Sequence, residues 1–107
     1  MQTQTTLGRL TTHIVNFTKR LRLYQEQVRS LYVELKQIKR IISSKKKDWI
    51  INTGMPEHAD VVVEAELKKR RELVSKCQIF ESKICSHKKA LRQLHKLLND
   101  YRKSKKQ

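Results

Sequence analysis

Apolar residues recur along this chain at alternating steps of three and four. Leu7, Leu10, Ile14, Phe17, Leu21, Tyr24, Val28, Leu31, Leu35, Ile38 and Ile42 follow one another in this way, and the same phase continues through Lys45 to Trp49. Such steps are the a and d positions of a heptad, which place these side chains on one seam of an α-helix. A second series runs Ala59, Val63, Glu66, Arg70, Leu73, Cys77, Phe80, Ile84, His87, Leu91, Leu94, Leu98 and Tyr101, with three polar interruptions. A period of 3.5 residues sustained this long marks a coiled coil rather than an ordinary surface helix.

Breakers are few, and their placement bounds the helices. The 107 residues include two Gly and one Pro, and none of these lies between Arg9 and Ile51 or after Pro56. Helices are therefore expected over about 5–49 and about 57–103, with a turn at about 50–56 and a basic tail at 104–107. In an antiparallel pair, an a residue of one helix shares a layer with a d residue of the other. The numbers of facing residues then have a constant total, which these two phases restrict to 101, 108 or 115. A total of 108 centres the fold-back on Gly54, within Asn-Thr-Gly-Met-Pro, where turn residues precede a Pro suited to a helix's first turn. Leu7 then faces Tyr101, Leu21 faces His87, Val28 faces Phe80, Leu31 faces Cys77, and Trp49 faces Ala59. The fold class expected is all-α: a long antiparallel two-helix coiled-coil hairpin, a single unit over 1–107, completed by partner helices.

Partner helices are expected because the apolar stripe is wider than two helices need. Tyr32, Leu67 and Val74 fall at e positions on one side of the seam, and Ile41 and Val62 at g positions on the other. Trp49, Ile50 and Ile51 lie at the tip. In phase, Ile50 and Ile51 occupy b and c positions, which normally face solvent. The expected partner-binding set is therefore Tyr32, Ile41, Trp49, Ile50, Ile51, Val62, Leu67 and Val74. The alternative for the tip folds Ile50 and Ile51 back over Val61 and Val62 as a local plug. Glu66 and Arg70, four apart, are placed to pair with each other at the seam's edge.

Charge narrows the partners. The chain carries 25 Lys and Arg against 10 Asp and Glu, a formal net charge of +15, which directs it toward anionic partners. Lys36, Lys39, Arg40, Lys45, Lys46, Lys47, Lys68, Lys69 and Arg71 form an expected anion-binding collar below the turn. Lys45 to Lys47 also lie near the end of the first helix, where the helix dipole favours cations. A second basic cluster gathers at the other end, from Arg102, Lys103, Lys105 and Lys106 near Arg9. The partners expected are other coiled-coil proteins, in a hetero-oligomer rather than a homodimer, with an acidic protein surface or nucleic acid for the collar. Basic residues are not interleaved with aromatics as in a stacking platform, so nucleic acid would be held through its backbone without sequence specificity.

Several classes are not expected. On one helix, Cys85 is rotated from Cys77 by about 80° and His87 by about 280°, so one ion cannot collect Cys77, Cys85, His87 and His95. The two cysteines lie about 12 Å apart along a helix, too far for a disulfide. There is no Gly-rich phosphate loop, nucleophile motif or acidic pair outside helix starts. The chain is expected to be no enzyme, with no catalytic residues, metal, cofactor or small-molecule substrate. No run reaches the roughly 20 apolar residues of a membrane span. Residues 1–25 lack Asp and Glu and carry Arg9, Lys19, Arg20 and Arg22, which is also the composition of a mitochondrial presequence. The seam keeps its phase through 7–24, which a cleaved leader has no reason to do. An intracellular protein, nuclear or cytoplasmic, is the expectation, with the mitochondrion as the alternative.

Overall fold

The computed structural model describes residues 5–105. Helix α1 spans Thr6–Thr53, a 3-10 turn spans Pro56–His58, α2 spans Ala59–Val62 and α3 spans Glu64–Lys105. No strand occurs among the described residues, and the chain is all-α. Of the tail expected at 104–107, Ser104 and Lys105 belong to α3, and 106–107 lie outside the described residues.

Thr5 starts α1. Its Oγ1 accepts the Gly8 N–H at 3.0 Å, satisfying one of the amides that a helix N-terminus leaves without a partner. The other end lies at Thr53, four residues past the expected boundary. Ile50 and Ile51 are compatible with a helix, and the element that stops it is Gly54, at φ +68°. There the Gly54 N–H donates to the Ile50 carbonyl at 2.8 Å, the bond that closes a left-handed helix cap. The Thr53 hydroxyl donates to the Trp49 carbonyl at 2.6 Å and accepts the Met55 N–H at 3.2 Å. Because α1 reaches Thr53, no basic residue lies in its last turn. Lys45 to Lys47 are therefore too far back for the helix dipole, which acts within the terminal turn.

The second helical region does not start cleanly. Pro56 opens the 3-10 turn, α2 adds a single turn, and Val63, at φ −110° and ψ 20°, interrupts before α3. Three consecutive valines, Val61 to Val63, lose side-chain freedom in a helix. The break falls at the third, which is fully buried.

Two compact units are built from these elements: the chain up to Glu26 with the chain from Phe80 on, and Gln27–Ile79. In the first, α1 and α3 run antiparallel. His87 lies 5.1 Å, centroid to centroid, from both Phe17 and Tyr24, and Tyr24 lies 5.9 Å from Phe80. Phe17 and Tyr24 are the seam residues on either side of Leu21, so His87 sits opposite Leu21, as a total of 108 requires. Totals of 101 and 115 would have set it against Ile14 and Val28. In the second unit the chain reverses at Gly54, and Lys46 Nζ meets Asp60 Oδ1 at 2.7 Å. The buried residues are Val28, Leu31, Ile38, Ile42, Ala59, Val63, Leu73, Cys77 and Leu98. Every one is a seam position, so the core is the seam.

A candidate partner-binding face near the turn

The eight residues expected to bind a partner all fall within the Gln27–Ile79 unit. Tyr32, Ile41, Ile50, Ile51, Val62 and Val74 are exposed, and Trp49 and Leu67 are half-buried. The structure does not gather them into one patch. Tyr32, Leu67 and Val74 keep to the e side, Ile41 and Val62 to the g side, and the remaining three to the tip.

At the tip, Trp49 acts within the turn. Its indole Nε1–H donates to the Met55 carbonyl at 2.9 Å, tying the end of α1 to the chain that leaves it. A buried indole usually finds such an acceptor. Ile51 and Val61 are 70% and 69% exposed, so neither is covered.

The g side has the more developed relief. One depression is lined by Ile38, Ile41, Lys45, Ala65, Glu66 and Lys69. A second is lined by Val61, Val62, Glu64, Ala65, Lys68 and Arg71. Ala65, a small and exposed residue, lines both. Val61 and Ala65 were not anticipated as site residues. They occupy f and c positions, and a search for large side chains beside the seam passes over both.

Ion pairs divide the collar. Lys45 bonds Glu66, and Lys46 bonds Asp60, so these two cations are engaged within the chain. Glu66 thus pairs across to α1 rather than along its own helix with Arg70. The Lys45 hydrogen bond, helped by the residue's own backbone N–H and by the Lys45 charge, lowers the Glu66 carboxyl below its ordinary 4.5, against the opposing effect of burial. Lys36, Lys39, Arg40, Lys47, Lys68, Lys69 and Arg71 are exposed, and no ion pair involves them among the described residues. Of the second basic cluster, Arg9, Arg102 and Lys103 are exposed, and Lys106 lies outside the described residues.

In the other unit, His87 Nδ1 lies 2.8 Å from the Lys83 carbonyl. A carbonyl only accepts, so Nδ1 carries the proton. His87 Nε2 is closed off from water and has no partner. Lys83 Nζ lies 5.4 and 5.5 Å from the centroids of Tyr24 and Phe80, and the Arg20 guanidinium 5.3 Å from that of Phe17. These cations cover the aromatic layer at its edges. Cys77 is buried, whereas Cys85 is exposed and lines a shallow depression with Lys88, Leu91 and Arg92. Among the described residues, no three His, Cys, Asp or Glu side chains are grouped to hold a metal ion. No helix there is long and apolar enough to cross a membrane.

No protein-family model matches this chain, and neither does any curated protein or solved structure.

Proposed function

We propose that the chain is a non-enzymatic subunit of a larger intracellular protein complex. In this reading it is a long antiparallel coiled-coil hairpin that partner helices complete. The observation that carries it is the concentration of exposed apolar side chains in one unit. Tyr32, Ile41, Ile50, Ile51, Val62 and Val74 all lie exposed within Gln27–Ile79. They flank or cap a seam whose apolar residues in this unit are buried or half-buried, and surplus apolar width on such a seam is a docking surface for further helices. Hetero-oligomers are favoured over homodimers, because two copies would each bring a net charge of +15.

The test is affinity capture of the tagged full chain from its own cells, with and without Ile50→Ser and Ile51→Ser together. The double variant should lose co-purifying proteins while keeping its helicity by circular dichroism. Loss of helicity would make the two residues part of the chain's own packing. Undiminished capture with full helicity would leave the tip as a turn only.

A second reading rests on the seven collar cations that have no ion pair: a basic helical module that holds nucleic-acid backbone without sequence specificity. Sedimentation with short DNA or RNA separates the two, since only this reading requires a shift.

A further inference from the structure

We infer that the g-side face of the turn-end unit receives an acidic amphipathic helix, its apolar stripe on Ile41, Val61 and Val62 and its flanking carboxylates on Lys68, Lys69 and Arg71. This rests on the partner-binding reading above and names the occupant. Ala65 lines both grooves, between Ile41 in one and Val61 and Val62 in the other, and its small side chain lets a helix approach closely. On α3, Ala65 has Lys68 and Lys69 as its neighbours one turn on, at i+3 and i+4.

The cations select the partner's sign. The two linings carry Lys45, Lys68, Lys69 and Arg71 against Glu64 and Glu66. Glu66 is already bonded to Lys45. That leaves Lys68, Lys69 and Arg71 exposed, and Glu64 is the one other acid in the two linings. A second copy of this chain would bring the same cations to the contact and be repelled. A helix with Leu at its seam and Glu at the positions flanking it complements both the apolar residues and the cations.

The experiment is a methyl NMR titration of the full chain with two synthetic heptad peptides. Both carry Leu at their seam positions, and their flanking positions are all Glu in one and all Lys in the other. The Glu peptide should shift the Ile41, Val61 and Val62 methyl resonances, and its binding should weaken as salt is added. Lys68→Glu with Lys69→Glu should weaken it by about tenfold or more, with helicity unchanged by circular dichroism. That variant should instead bind the Lys peptide. Equal binding of both peptides to the wild-type chain would overturn the acidic partner while leaving the partner-helix reading standing. Failure of both peptides to move these methyls would overturn the inference. So would a short DNA duplex that moves them in a Lys68- and Lys69-dependent way, which would also favour the nucleic-acid reading over the subunit.

Discussion

His87 and Glu66 are polar residues on an apolar seam, and the structure treats them differently. Glu66 is answered by Lys45, whereas His87 keeps Nε2 buried without a partner. An unsatisfied buried polar atom costs about 1–3 kcal/mol. Phe at position 87 would keep the ring contacts to Phe17 and Tyr24 and remove the orphaned nitrogen. It would also lose the bond to the Lys83 carbonyl, which the helix already satisfies. His87→Phe is therefore expected to stabilise the fold by about 1 kcal/mol in urea melts. Glu66 gives a pH dependence. Its folded carboxyl titrates below the ordinary 4.5, so its contribution is fully present above that value and is lost as pH falls through the lower, folded one. Comparing wild type with Glu66→Gln between pH 6 and pH 2 should show the wild type losing its advantage below about 4.5. A constant difference would mean that the pair with Lys45 contributes nothing to folding.

Among the elements, the helices were legible in the sequence and their ends were not. Heptad phase is a long-range signal: dozens of residues vote on it, and each buried residue falls where it placed one. Ends are decided by a few local bonds. Ile50 and Ile51 gave no reason to stop α1, and only the +68° φ of Gly54 does so. The break at Val63 follows from three adjacent valines, a local conflict that a seam pattern does not register. The Trp49 indole bond to Met55 depends on the turn's final path, and the pairing of Glu66 with Lys45 depends on register. The exposed e, g and tip residues were readable from phase, but the place of Ala65 in both depressions was not, because a small side chain at a c position adds nothing to the apolar pattern. Gly54→Ala tests the cap. A Cβ there meets nothing within 4 Å, so its cost is the left-handed backbone alone, about 1 kcal/mol. Leu31→Asp tests the seam: it buries an unpaired charge at a position only 8% exposed and should cost more than about 3 kcal/mol. Lys46→Ala removes only a surface pair and should stay within about 0.5 kcal/mol. If Leu31→Asp and Lys46→Ala melt alike, the heptad assignment fails.

At the scale of the whole molecule, burial and charge are distributed unequally between the two units. Of the nine buried residues among those described, eight lie in Gln27–Ile79 and Leu98 lies in the other unit. The basic excess runs the opposite way. Gln27–Ile79 holds 12 Lys and Arg against 7 Asp and Glu, which leaves 13 basic against 3 acidic residues for the rest of the chain. One unit therefore has most of the core, and the other has most of the self-repulsion. Thin cores rarely stabilise a chain without help, so the isolated protein should be helical but marginal, and it should not open uniformly. Amides of Glu64–Ile79 are expected to exchange more slowly than those of Phe80–Tyr101, although both stretches belong to α3. Salt should narrow the gap. At 0.1 M ionic strength the screening length falls to about 10 Å, which weakens repulsion among Arg20, Arg22, Lys83, Lys88, Lys89 and Arg92 more than it disturbs the seam. Native-state hydrogen exchange in low and moderate salt reads both effects from one sample. Uniform protection along α3, or a gap indifferent to salt, would show that neither core depth nor net charge sets where this molecule opens.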